Sequence, residues 1–205
     1  MAPESSLDPR GCDRHVLGCV RTRSLSQQQQ DRARLFPATP KLTGVRAATP
    51  AIAALVSDGA PHEVLQYRHD PRAGSYGDEA VAELAETGID ARQVFKTLVI
   101  AVPKGLAVAV LPVPAKLSLK AAAAALGVPK AAMAERAAAE RSTGYVLGGI
   151  SPLGQRRRLP TVIDSSALQW DRVLCSAGKR GLEIAVAPDD LVRLTDAVTA
   201  DIAVI

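Results

Sequence analysis

The sequence predicts an α+β fold, a mixed β-sheet surrounded by helices. Three observations lead there. Strand-like and helix-like runs interleave along the chain. The strongest strand, Val94–Val102 (VFKTLVIAV), is followed after only Pro103-Lys104-Gly105 by a second apolar run, Leu106–Val113 (LAVAVLPV), which reads as its antiparallel partner. Several other connections are too short to be helical crossovers, which disfavours a doubly wound parallel sheet.

The elements follow in order. Residues 1–47 mix Ser, Gln, Arg and Pro, include the run Gln27–Gln30 and show no sustained apolar period, so they read as a disordered tail. A targeting peptide, or translation that begins near Val45, are further readings of the same stretch. Residues 48–205 form the expected domain. Thr49-Pro50 supplies an N-cap and a first-turn proline, Ile52, Leu55 and Val56 take helical spacing, and Gly59 stops the helix. His62–Tyr67 alternates as a half-buried strand does. A second helix is predicted from about Asp78 to Glu86, stopped by Gly88. After the hairpin, Ser118 caps an alanine-rich helix that ends at Gly127, and Pro129 opens another that carries on, continuous or broken, to Glu140. Leu159–Ile163, Arg172–Ser176 and Leu182–Val186 read as strands, Asp189–Val198 as the last helix and Asp201–Ile205 as a short closing strand.

Composition narrows the function. A chain of 205 residues supports one well-buried core. Aromatic residues are 3%, too few for the stacking platforms of single-strand nucleic-acid binders. The net charge of +4 sits in the tail: residues 1–46 hold 8 Lys/Arg against 4 Asp/Glu, and the remainder balances 17 against 17. Any nucleic acid bound by the domain must therefore meet a local basic patch. Cys12, Cys19 and Cys175 make no disulfide framework and no zinc spacing, which fits a reducing, cytoplasmic compartment. Neither a metal nor a cofactor is expected, and no apolar run is long enough for a membrane span.

The stretch Arg141–Pro160 (RSTGYVLGGISPLGQRRRLP) carries the densest signal. Gly148 and Gly149 allow close approach to the main chain, and Pro152 holds Ser151 extended. Freed backbone N–H groups in such a bend can face an anion or an oxyanion; a plain surface turn is the other reading. Lys96 shares a strand face with Leu98, Ile100 and Val102. It either reaches solvent at the strand end or is held in a pocket to meet an anion or carbonyl. Asp164 ends a strand, where a carboxylate serves a site or caps the next turn. Arg156, Arg157 and Arg158, and Lys179 and Arg180 between Gly178 and Gly181, are phosphate contacts or solvated turns. Tyr67 and Tyr76 stand out only because aromatics are scarce. His62 and His69 lie in no triad context, Cys175 sits inside an apolar strand, and no nucleophile elbow, phosphate loop or dinucleotide fingerprint is present.

Val94–Leu98 (VFKTL), Arg141–Gly144 (RSTG), Gly148–Leu153 (GGISPL), Leu159–Asp164 (LPTVID) and Gly178–Leu182 (GKRGL) occur in an order that resembles the YbaK-type aminoacyl-tRNA deacylases. These are free-standing relatives of the editing domain inserted in bacterial prolyl-tRNA synthetases. The resemblance runs from about Thr49 to Ala203 and leaves out the tail. It implies a barrel-like mixed sheet wrapped by helices, and hydrolysis of cysteine mischarged onto tRNA(Pro), in partnership with prolyl-tRNA synthetase. Lys96 matches the family's essential lysine, and Gly148 and Pro152 match its GxxxP loop, with Gly149 and Ser151 between them. Tyr67, Thr97 and Asp164 match pocket positions, and Tyr76 stands where phenylalanine is expected. Arg156, Arg157, Lys179 and Arg180 are the expected tRNA contacts. The resemblance further implies that the substrate's own thiol attacks the ester, which fits the want of a protein nucleophile. An Ala-tRNA(Pro) or broader deacylase using water, and a non-catalytic module that binds tRNA or a synthetase, remain as alternatives.

Overall fold

The computed structural model describes residues 49–67, 69, 70, 76–85 and 88–204; the expected tail lies outside them. Five α-helices are found among the described residues: α1 (Pro50–Asp58), α2 (Tyr76–Ala85), α3 (Leu119–Ala125), α4 (Arg136–Thr143) and α5 (Pro188–Thr195). The strands are β1 (His62–Gln66), β2 (Val94–Val102), β3 (Gly105–Pro112), β4 (Lys116–Leu117), β5 (Ala132–Met133), β6 (Thr161–Asp164), β7 (Val173–Lys179), β8 (Leu182–Val186), β9 (Val198–Ala200) and β10 (Ala203–Val204).

The main sheet runs β1-β8-β7-β2-β3-β6-β9, with β5 added beside β2, and β4 pairs β10 in a separate ribbon. β2 and β3 pair antiparallel from Phe95↔Pro112 to Val102↔Gly105, as the short connection requires. The pairs β2–β7, β3–β6 and β6–β9 are parallel, so the sheet is mixed, and it curls into a half-barrel. β2 is apolar except at Lys96 and Thr97, and both of its faces pack against core. Phe95 and Val99 join one core with Val108, Val110, Ile184 and α1. Ile100 joins a second with Ala107, Leu111, Val162 and Ala122 of α3. A third cluster seats Ala80 and Leu84 of α2 on Val94, Val113, Leu174 and Ala185.

Local signals explain several boundaries. Thr49 Oγ1 accepts from Ile52 N at 3.2 Å, and Gly59 closes α1 with φ +76°. Ser118 accepts from Ala121 N in the same way. Two expectations fail. The helix read from Pro129 to Glu140 starts only at Arg136, because Ala132 and Met133 pair with Ala101 and Ile100 at the edge of β2. The last helix stops at Thr195, not Val198. Asp196 takes a left-handed cap, φ +53°, and Val198 begins a strand beside β6.

Candidate active site

The site lies where the sheet splits. β2 and β7 pair only at Val94↔Leu174 and Phe95↔Cys175. β5 takes up the same edge of β2 only at Ile100 and Ala101. Between those two pairings, Lys96, Thr97 and Leu98 border a cavity of about 530 Å3 whose other walls include Tyr76, Val113, Ala115, Gly148, Ile150, Ser176 and Glu183. Pairing ends because β7 turns into its hairpin with β8, whose register shifts between Ser176 and Lys179.

Lys96 reaches into this cavity. Its Nζ donates to the carbonyl oxygens of Val113 at 2.9 Å and Ala115 at 2.6 Å. An ammonium has three N–H donors, so one remains for a ligand. Burial pushes the ammonium below the usual lysine range, and the Asp78 carboxylate partly opposes that. The loop 147–150 forms the facing wall. Gly148 has φ +84°, and a Cβ there would lie 2.4 Å from the Tyr76 ring, so only glycine fits. Among the described residues, neither the Gly148 N–H nor the Ile150 N–H makes a hydrogen bond. The Gly149 N–H, one of the expected catalytic amides, closes a turn on Val146 O at 3.0 Å.

The cavity also holds a residue that the sequence reading missed. Glu183 is 6% exposed and, among the described residues, its Oε2 has no hydrogen-bond partner; Thr97 Oγ1, on the same cavity, is likewise buried without one there. Burial pushes the Glu183 carboxyl up to about 8. Glu183 escaped notice because it alternates with the apolar Leu182 and Ile184, as an outward-facing charge on a half-exposed strand would. That face is covered by α2, packed on neighbouring Ala185.

The remaining expected residues divide. Tyr76 lines the cavity, with its ring 4.4 Å from the Arg180 guanidinium carbon and 5.9 Å from the His69 ring centre. Tyr67 packs against the cluster under α2, outside the lining; burial and then Glu183 and Glu79 push its hydroxyl up to about 12. Ser151 is fully buried and its Oγ accepts from Leu153 N, while Pro152 lines a separate 190 Å3 hollow with Gly154 and Thr195. Both shape the loop without bordering the cavity. Asp164 also stands apart from it. Its Oδ1 accepts from Ser166 N, and its Oδ2 accepts from Ile202 N at 2.9 Å and Ala203 N at 2.7 Å. The turn-capping reading of that residue is the one its hydrogen bonds fit.

The expected tRNA contacts also fall in different places. Lys179 is exposed at the β7–β8 turn. Arg180 instead turns inward and donates twice to Leu147 O, at 3.0 and 2.7 Å. Arg156 is exposed and lies over Gly144. Arg157 lines a groove of about 600 Å3 with Lys104, Arg141 and Leu106, at the far end of β2 from Lys96. No group of three or more His, Cys, Asp or Glu that could hold a metal occurs among the described residues. Nor is any helix there long and apolar enough to cross a membrane.

The comparison that decides the family is with the aminoacyl-tRNA editing domain, whose sequence model matches residues 77–194. The chain belongs to the aminoacyl-tRNA editing domain family. Among its relatives is EbsC of Enterococcus faecalis, assigned as a Cys-tRNA(Pro)/Cys-tRNA(Cys) deacylase. It is 41% identical over 125 residues, which are 60% of this chain and 75% of EbsC. A crystal structure described as a trans-editing enzyme for prolyl-tRNA synthetase is 25% identical. It superposes with a TM-score of 0.67 over 78% of this chain and 99% of its own. A hypothetical protein at 23% identity, TM-score 0.66, covers 76% and 99% and shares the fold. The match encloses every wall of the cavity except Tyr76, one residue before its start. The editing domain's sheet therefore splits within the part of the chain that carries the family likeness.

Proposed function

We propose that this editing domain removes cysteine from mischarged tRNA(Pro) by cleaving the aminoacyl ester in the cavity between Lys96 and the 147–150 loop. The observation that carries the reading is the shared cavity itself. A cation with a spare donor and main-chain amides that have no partner among the described residues border one half-open cavity.

An aminoacyl ester is already activated, so its cleavage asks chiefly for placement and for stabilisation of charge on the carbonyl oxygen. The Gly148 and Ile150 N–H groups supply that stabilisation, and the third Lys96 donor holds the carbonyl or the terminal ribose. Thr97 Oγ1 and Glu183 Oε2, which have no hydrogen-bond partner among the described residues, take the α-amino group. A buried polar atom left without a partner is costly, so these two favour a ligand that satisfies them. The attacking group is the substrate thiol: its sulfur bonds to the carbonyl carbon, the ester C–O bond breaks, the thiol proton passes to the departing ribose oxygen, and a cyclic thiolactone leaves. With a pKa of about 8.5, a few per cent of such thiols are ionised near neutrality, in their nucleophilic form.

The identity of EbsC favours cysteine, and the likeness to a trans-editing structure favours work alongside prolyl-tRNA synthetase in a reducing compartment. The balanced charge of the domain favours weak, salt-sensitive tRNA binding that a synthetase partner reinforces. Arg156, Arg157 and Lys179, all exposed, are the residues we assign to the tRNA backbone. A two-substrate assay tests the reading. Cys-tRNA(Pro) should be cleaved and Ala-tRNA(Pro), which lacks a thiol, should survive. Equal cleavage of both would replace the thiol by water, and cleavage of neither would leave a binding module.

A further inference from the structure

Arg180 has a job that its place in a basic glycine-flanked turn does not disclose. Its Nε and Nη2 both donate to Leu147 O, at 3.0 and 2.7 Å. At the other end of the same residue, Leu147 N donates to Glu140 Oε1 at 2.9 Å, and that carboxylate is held in turn by Arg136 Nε at 3.1 Å. Both main-chain polar groups of Leu147 are thus taken by charged side chains, one from α4 and one from the β7–β8 turn. The Leu147 N–H, then Arg136 and Arg180, holds the Glu140 carboxyl below the usual carboxylate range. The Arg180 guanidinium also lies over the Tyr76 ring, and that ring packs closely on Gly148. Gly149 leaves no slack, since a Cβ there would come within 3.2 Å of Arg180 N and Lys179 Cα.

We propose that Arg180 and Glu140 are positioning residues that clamp the Leu147 peptide from both ends, fix the Gly148 N–H toward the acyl carbonyl and hold Tyr76 as the cavity wall. The inference rests on the deacylase reading and deepens it. A loop of this kind, with two adjacent glycines, samples many backbone states when free. An oxyanion donor is effective only when its direction is set before the reaction. Arginine suits the task where lysine does not, because its planar fork reaches one carbonyl with two N–H groups while its face stacks on an aromatic ring.

The test separates this role from a phosphate contact, the role expected from the motif. Single-turnover cleavage of Cys-tRNA(Pro) is followed at increasing enzyme for wild type, Arg180→Ala, Arg180→Lys and Glu140→Gln, at two salt concentrations. The clamp predicts that the saturating rate falls about 10- to 100-fold in both Arg180 variants, on the scale of a misplaced oxyanion donor. Half-saturation and its salt dependence should hardly change. Millimolar guanidinium should restore part of the rate to Arg180→Ala and none to Arg180→Lys, whose ammonium occupies the site. Glu140→Gln should lower the saturating rate less. A weakened half-saturation with a flatter salt dependence and an unchanged saturating rate would make Arg180 a tRNA contact and overturn the clamp. So would wild-type rates in every variant. Amide hydrogen exchange at Leu147 and Gly149, whose N–H groups are bonded to Glu140 Oε1 and Val146 O, supplies a readout independent of activity. It should quicken in Arg180→Ala and in Glu140→Gln while the β2 amides stay protected. Unchanged exchange at both loop amides would contradict the clamp, even if wild type proved inactive and the deacylase reading failed by itself. Loss of β2 protection in Arg180→Ala would mark unfolding and leave the decision to Glu140→Gln.

Discussion

Asp164 and Glu183 are buried to nearly the same depth, 4% and 6% exposed, yet their surroundings differ in kind. Asp164 is saturated: Ser166, Ile202 and Ala203 all donate to it through their main chains. By gripping residues 202 and 203 it seats β10 against β4, the strand that begins one residue after Ala115, whose carbonyl holds Lys96. Glu183 has an oxygen with no partner among the described residues, on the wall of the cavity. The difference teaches which carboxyl holds the frame and which waits for a ligand. A satisfied buried group does structural work; an unsatisfied one beside a cavity is a candidate for function.

The comparison extends to the loop, where the strongest effect is expected. Gly148→Ala would push a methyl group into the Tyr76 ring and hold an L-residue at φ +84°. It should slow deacylation about 100-fold or more and lower stability by roughly 1–3 kcal/mol. A near-normal rate would show that the amides need no such precision.

Glu183→Gln comes next. A carboxyl raised to about 8 in the folded chain, against an ordinary value near 4.3 when unfolded, binds its proton more tightly in the native state. Its stabilising contribution is full below pH about 4.3 and is lost as the pH rises through about 8, on the order of 5 kcal/mol in all. Glutamine cannot ionise, so urea midpoints of the variant should be flatter across that window than those of wild type. Wild-type midpoints equally flat would mean that Glu183 is already ionised and paired. Asp164→Asn should show the smallest effect on rate, within a few-fold. Its cost falls on stability, about 2 kcal/mol, because an amide cannot accept from all three main-chain donors. A larger loss of rate than of stability would put Asp164 into the chemistry and erase the contrast with Glu183.

How much of this could be read from the residues follows the same physics. The β2–β3 hairpin, the caps Thr49 and Ser118, and Lys96 on an apolar face were legible, because local spacing decides them. β5 was not: alanines around it favour helix, and only the unpaired edge of β2 draws Ala132 and Met133 into a strand. The stop at Asp196 lacked a signal, since no glycine marks its left-handed cap. Nothing local marked Glu183, which α2 covers, and the turn that holds Arg180, read as a phosphate contact or a solvated turn, gave no hint of Leu147 beside it. Apart from the stop at Asp196, what went unread involves a partner distant in sequence.

Lys96 bears the central claim, and its truncation tests it most directly. Single-turnover cleavage of Cys-tRNA(Pro) should fall about 100-fold or more in Lys96→Ala, on the scale of lost charge stabilisation in a closed site, with the melting transition still cooperative. A folded Lys96→Ala variant that cleaves at the wild-type rate would contradict the account.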